Sequence, residues 1–238
     1  SPFITENTEY VIAGTRFSVP SDNADGDVAI NTYKQNFKGY LSFISVDKND
    51  GKMDIAFQLA CPGVNFDLSH AGKGKSHGWF FFSCYNTEQA NSLLEVNASQ
   101  RDKDFIMAVN WKKAEEYIKA GKGKKVPAKY AHNTYSDATH SATSEMKTDV
   151  MVLDTKEFTD ICYMIPCPKS PHGCDVDPTG EYIVGSGKLA ALIPVFSFDK
   201  VQAAIANKAF DGQFDGINVI KYEAALYGEV KKPGLGPL

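Results

Sequence analysis

The chain repeats one strand grammar four times, and that recurrence limits its architecture more than any single motif does. The apolar run Tyr40-Leu-Ser-Phe-Ile-Ser-Val-Asp47 passes through the polar turn Asn49-Asp50-Gly51 into a second apolar run at 52–59. Comparable runs, Phe105-Ile-Met-Ala-Val-Asn-Trp111, Asp149-Val-Met-Val-Leu-Asp154 and Ile193-Pro-Val-Phe-Ser-Phe-Asp199, open three further units. Their ends lie 64, 43 and 45 residues apart, near the roughly 40–50 residue period of propeller blades. The expected fold is all-β: a β-propeller, about four blades of which are present, with short helical excursions.

A second element recurs out of phase with the first. It reads Pro62-Gly63 followed by Ser76-His-Gly-Trp-Phe-Phe-Phe-Ser83, and again Pro171-His-Gly-Cys-Asp-Val-Asp-Pro-Thr-Gly-Glu-Tyr-Ile-Val-Gly-Ser186. Each is a turn, a strand, a tight glycine turn and a second strand, as expected for the paired inner strands of successive blades. Asp177-Pro178-Thr179-Gly180 suits a type I turn, with Pro at the second position and Gly at the fourth. Helical patches interrupt the pattern. One runs over 111–120, with Trp111, Ala114, Tyr117 and Ile118 on one face and Gly121 as its stop; others fall at 199–210 and at 87–94, where Thr87 is the N-cap. The lysine-rich stretch 119–125 reads as a solvated loop, and 136–144 as a polar one.

A propeller must close its ring to hide its edge strands. Four open blades do not, and residues 231–238 sit where another unit should begin, so a segment of a longer chain is expected. The start, Ser1-Pro2-Phe3, carries neither a basic nor an apolar leader, as a mature or excised piece would not.

Charge and composition remove whole classes of function. Lys and Arg number 25 against 29 Asp and Glu, a net charge of -4, so no field gathers phosphates and no nucleic-acid partner is expected. No apolar run approaches the roughly 20 residues of a membrane span, so no membrane insertion is expected. Five cysteines are too few for a disulfide scaffold and odd in number, leaving at least one thiol unpaired or bound to something.

The five histidines, His70, His77, His132, His140 and His172, form no local catalytic motif of metalloprotease or hydrolase type. Gly72-Lys-Gly-Lys-Ser76 mimics the end of a phosphate loop without its upstream glycine or its helix. Cys162, Cys167, His172 and Cys174 have soft-ligand spacing that can be read as a zinc site, although Cys162 lies inside an apolar strand and Cys174 begins the next one, which favours core positions. His172 is placed differently. It stands between Pro171 and Gly173 at a strand-entry turn, which in a propeller faces the central axis and can converge with histidines of other blades; a lone histidine there is ordinarily a hydrogen-bonded core residue.

Four stretches, Asn7-Thr-Glu-Tyr-Val11, Phe82-Ser-Cys-Tyr-Asn-Thr-Glu88, residues 168–189 and Gly234-Leu-Gly-Pro-Leu238, in this order, resemble nitrous-oxide reductases. The resemblance runs the whole length of the chain and covers a central part of the family's. The 69–77 loop and the insertion at 131–147 look like the branch of the family that is exported unfolded. The resemblance implies a periplasmic seven-bladed propeller followed by a cupredoxin domain, acting as a homodimer. It implies a sulfide-bridged copper cluster held by propeller histidines, a binuclear copper site outside this segment, nitrous oxide as substrate, and an electron donor such as a c-type cytochrome or a cupredoxin.

Carried over residue by residue, the resemblance assigns His172 to the copper cluster and no other histidine of this chain. It assigns a calcium site to Tyr85, Glu88, Asp102, the main-chain carbonyl at Val96, and Ser170, where the family has Asn. Carboxylates combined with a carbonyl suit calcium; without it, Tyr85-Asn-Thr-Glu88 reads as an acidic helix start. This segment alone is expected to be inactive. The reading from another class is a non-enzymatic propeller scaffold, since Asp177-Pro-Thr-Gly-Glu-Tyr-Ile-Val184 also fits generic blade repeats.

Overall fold

The computed structural model describes residues 2–15, 19–20, 37–85, 104–126 and 149–234. The first blade is an antiparallel sheet of β1 (Phe3–Ile4), β2 (Tyr10–Gly14), β4 (Phe37–Val46) and β5 (Met53–Cys61), with β3 (Val19–Pro20) paired beside β4. The second begins with β6 (Asn65–Ala71), β7 (Trp79–Tyr85) and β8 (Asp104–Asn110). Before its fourth strand the chain makes helix α1 (Trp111–Lys119) and strands β9 (Lys124–Val126) and β10 (Val150–Asp154), then completes the blade with β11 (Cys162–Pro166). The third blade repeats the plan: β12 (Pro171–Val176), β13 (Tyr182–Gly187) and β14 (Leu192–Ser197) come first. An insertion follows, of α2 (Phe198–Ala206), β15 (Phe210–Phe214), β16 (Ile217–Ile220) and α3 (Tyr222–Ala225), before β17 (Leu226–Lys231). None of the three sheets closes into a barrel.

Three of the four sequence repeats occupy one structural position. The runs at 40–47, 105–111 and 193–199 supply β4, β8 and β14, the third strand of each blade. The fourth, at 149–154, opens no blade of its own. It is β10, which pairs in parallel with β5 on the outer edge of the first blade, so the described residues build three blades where four repeats led to the expectation of four.

The middle blade is apolar on both faces because it is covered on both. Along β7, Phe80, Phe82 and Cys84 enter the core shared with the first blade, while Trp79 and Phe81 enter the core shared with the third. β8 divides in the same way, Phe105, Met107 and Val109 to one side and Ile106 and Ala108 to the other, as does β11. Successive side chains of a strand point to opposite faces, so a continuous apolar run is the signature of a sheet buried on both sides. That is how stacked blades differ from a solvent-faced sheet.

The expected helices at 111–120 and 199–210 are present as α1 and α2, each of nine residues. In both, the last residue of the third strand is the N-cap: Asn110 Oδ1 accepts the Lys113 N–H at 3.0 Å, and Ser197 Oγ accepts the Lys200 N–H at 3.2 Å. Gly121, at φ 71°, ends α1 as expected. The stretch read as a solvated loop, 119–125, is partly a strand: Lys124 and Lys125 enter β9 and face Glu157 and Asp149. Residues 87–94 and 136–144 lie outside the described residues.

Candidate metal centre

His172 sits on β12, the innermost strand of the third blade, and β12 packs on β6, the innermost strand of the second. Pro171 pairs with Gly187 and Gly173 with Ser186, so His172 is the extra residue of a β-bulge. A bulge re-aims a side chain that a regular ladder would hold to one face. The His172 residue is half-buried. Its carbonyl accepts from Ser83 Oγ at 3.2 Å, and the same fully buried hydroxyl lies 3.1 Å from the Leu68 carbonyl and 3.2 Å from the Leu68 N–H. One serine on β7 thus ties the bulge to β6.

The residue two before His172 is fixed more tightly still. Ser170 is buried and holds φ at 57°, a region L-residues enter sparingly. Its N–H donates to Asp104 Oδ1 at 2.9 Å, and its carbonyl accepts the Lys188 N–H at 2.9 Å. Asp104 Oδ2 lies 3.2 Å from Lys169 Nζ. Asp104 is in turn the backbone partner of Tyr85 across β7 and β8. The fold therefore brings Tyr85 and Ser170 together around Asp104, a residue sequence reasoning left unassigned although an acidic residue at the head of the apolar run 105–109 was its signal. Glu88, Val96 and Asp102 lie outside the described residues.

A cleft of about 560 Å³ opens beside this turn, lined by Asp104, Lys169, Asp211, Gln213 and Phe214 among others. It lies on the outer side of the second blade.

The remaining histidines have separate surroundings. His70, on β6, places Nδ1 2.9 Å from the Ala71 carbonyl and Nε2 3.9 Å from Asp175 of β12, and its ring lies 4.4 Å from that of Phe3 on β1. It stands where the innermost strands of all three blades meet. His77 lies between two carboxylates, Nδ1 3.1 Å from Glu6 and Nε2 3.1 Å from Glu9, with its ring edge-on to Trp111. It fastens the first hairpin to the second blade. His132 and His140 fall outside the described residues.

The zinc reading of the cysteines finds no support. All five are free thiols, and among the described residues no three His, Cys, Asp or Glu side chains gather as metal ligands do. Burial pushes the Cys174 thiol up to about 12, and it raises Cys84, Cys162 and Cys167 well above the ordinary thiol range. An apolar, buried setting of this kind keeps a thiol protonated in the metal-free fold. Cys174 instead donates to the Phe81 carbonyl at 3.3 Å.

Two curated proteins share this architecture's sequence at a distance. The nitrous-oxide reductase of Pseudomonas fluorescens is 30% identical over 239 residues, which is 97% of this chain and 30% of that protein. The nitrous-oxide reductase of Stutzerimonas stutzeri is 28% identical over 236 residues, 98% of this chain and 31% of that protein. The chain is distantly similar to nitrous-oxide reductases. It spans under a third of the length of these relatives. No protein-family model matches it. Among solved structures, Kuenenia stuttgartiensis hydrazine synthase superposes with a TM-score of 0.51 at 12% identity, over 98% of this chain and 49% of that one. At that identity the likeness concerns the fold alone.

Within the described residues, His172 fits one copper position: an imidazole suits copper, and a bulge on an innermost strand presents it from a rigid frame. Among the described residues no three His, Cys, Asp or Glu gather as metal ligands, so a cluster would need donors from outside them. Ser170 fits a calcium shell only as an oxygen at a strained, carboxylate-fixed turn.

Proposed function

We propose that this chain is part of the propeller of a nitrous-oxide reductase, the enzyme that reduces nitrous oxide to dinitrogen and water with two protons and two electrons. The observation that carries the reading is His172 on the bulge of β12, taken with the matched order of sequence along two reductases. In this reading His172 contributes one imidazole to a sulfide-bridged copper cluster, and Tyr85, Glu88, Val96, Asp102 and Ser170 surround calcium. The copper would supply adjacent redox centres for a substrate that is a poor ligand and kinetically inert.

The chain's own contribution is positional. Ser83 fixes the backbone under His172 and Asp104 fixes the turn before it, so the main chain that carries the imidazole is held without help from the metal, as a preorganised site requires. Electrons would come from a c-type cytochrome or a cupredoxin in the periplasm, to a homodimer of the whole protein whose binuclear copper site lies in a cupredoxin domain outside this segment. The 238 residues alone would have no activity.

The test is His172→Ala in the full-length, copper-loaded protein. Cluster absorption and activity should vanish while the electron-entry copper keeps its spectrum. Normal turnover in that variant removes His172 from the site.

A further inference from the structure

The insertions between the third and fourth strands follow one rule. In the second blade, α1 and the antiparallel pair β9–β10 interrupt the path from β8 to β11, and β10 joins the first blade by pairing in parallel with its fourth strand, Val152–Asp154 against Gln58–Ala60. In the third blade, α2 and the antiparallel pair β15–β16 interrupt the path from β14 to β17. There β16 joins the second blade in parallel with its fourth strand, Asn218 and Val219 against Tyr163 and Met164. The second and third blades thus each lend a strand pair to the outer edge of the blade before them, while the first turns directly from β4 into β5.

The fourth strand of the third blade has received no such strand. Among the described residues β17 pairs with β14 alone. Registering the two blades on their N-caps, Asn110 and Ser197, aligns Ala108 with Val195 and Met107 with Pro194. The acceptor residues Tyr163 and Met164 of β11 then correspond to Gly228 and Glu229 of β17. Tyr227 and Val230 flank that position and are 62% and 55% exposed, two of the four large apolar residues exposed among those described. Apolar side chains on an open strand edge mark a surface that another strand covers.

We infer that β17 is the docking edge for a parallel β-strand delivered by a helix-and-strand-pair insertion of a following blade built on this same plan. A second copy of the chain is the poorer occupant, because both of its described insertions are already spent on β5 and β11. The inference uses sheet pairing and the exposure of Tyr227 and Val230, and stands whether or not copper binds at His172.

Amide hydrogen exchange tests it. In the 238-residue chain at low concentration, amides at 226–231 should exchange at least about tenfold faster than those at 58–60 and 163–164, which are paired on both sides. Extending the chain past Leu238 with the sequence that follows the matched stretch of the Pseudomonas fluorescens relative should slow exchange at 226–231 by about tenfold or more. Val230→Lys, at an exposed position, should lessen that protection and leave 58–60 unchanged. Three results would overturn the inference: slow exchange at 226–231 in the dilute 238-residue chain, protection there that grows with protein concentration and so marks a second copy, or no added protection in an extended chain whose 58–60 amides stay protected.

Discussion

The carboxylate of Asp104 and the backbone of Ser170 fix each other across two blades: Oδ1, at the head of β8, accepts the N–H that precedes β12 at 2.9 Å. Ser170 is held at φ 57°, a conformation that costs an L-residue roughly 1–2 kcal/mol, so the bond and its buried acceptor must outweigh that cost. Asp104→Ala should therefore lower stability by about 2–3 kcal/mol, the worth of a charge-assisted bond whose buried donor is left unmet. Urea denaturation measures it, and a loss below a few tenths would deny Asp104 that role. Asn tolerates the left-handed region better than Ser, so Ser170→Asn should melt no lower than the parent. If calcium binds at this turn, calcium should raise the melting temperature of that variant by more than it raises the parent's.

Phe81 and Phe82 are adjacent, both fully buried, and belong to different cores. Phe82→Ala should loosen the packing of the first blade on the second, and Phe81→Ala that of the second on the third, each at about 3–5 kcal/mol. Because the two rings face opposite sides of one sheet, the double variant should lose close to the sum. Strong non-additivity would mean that the two cores behave as one.

Much of this was readable from the sequence because a blade covered on both faces writes an uninterrupted apolar run, and Phe105–Val109 and Trp79–Phe82 do so plainly. The inner strand pair around Pro171 and Gly180 was readable for the same local reasons. What misled is also local: Val150–Asp154 has the composition of a third strand, but composition reports burial and not the partner, and β10 finds its partner across the chain in β5. Asp104 escaped notice because one acidic residue before a strand looks like a turn until Ser170, 66 residues later, donates to it. The bulge at His172 depends on the register with β13, which no run of side chains encodes.

Buried thiols make the fold sensitive to alkali. Burial raises Cys84, Cys162, Cys167 and Cys174, the last to about 12, whereas an unfolded chain releases thiol protons near about 8.5. Above that point the unfolded state binds fewer protons than the native state. Stability is thus fully present at neutral pH and falls as pH rises, by about 1.4 kcal/mol per pH unit for each such thiol. The urea midpoint should drop steeply above about pH 9, and Cys174→Ala should flatten the slope by its own share. A midpoint constant across that range would show that these thiols ionise in the folded protein as they do in water.

The turn at 177–180 couples the second and third blades through backbone alone. Gly180 donates its N–H to the Asp177 carbonyl at 3.0 Å, closing the turn, and the Thr179 carbonyl accepts the Lys75 N–H at 3.0 Å from the second blade. Lys75 also forms ion pairs with Glu181 and Asp199 of the third blade, but these lie at the surface, where such pairs contribute little. The backbone approach is the tighter constraint. Gly180 holds φ at 75°, and a Cβ added there would stand 1.7 Å from the Lys73 carbonyl oxygen, a distance only backbone movement relieves. Gly180→Ala should accordingly cost more than about 3 kcal/mol, the strain of the left-handed region adding to the displaced contact. Lys75→Ala should leave the urea midpoint nearly where it is in the parent, since exposed ion pairs are screened by solvent. If the two variants unfold at the same urea concentration, the blades are held by the ion pairs and not by the close passage of their main chains.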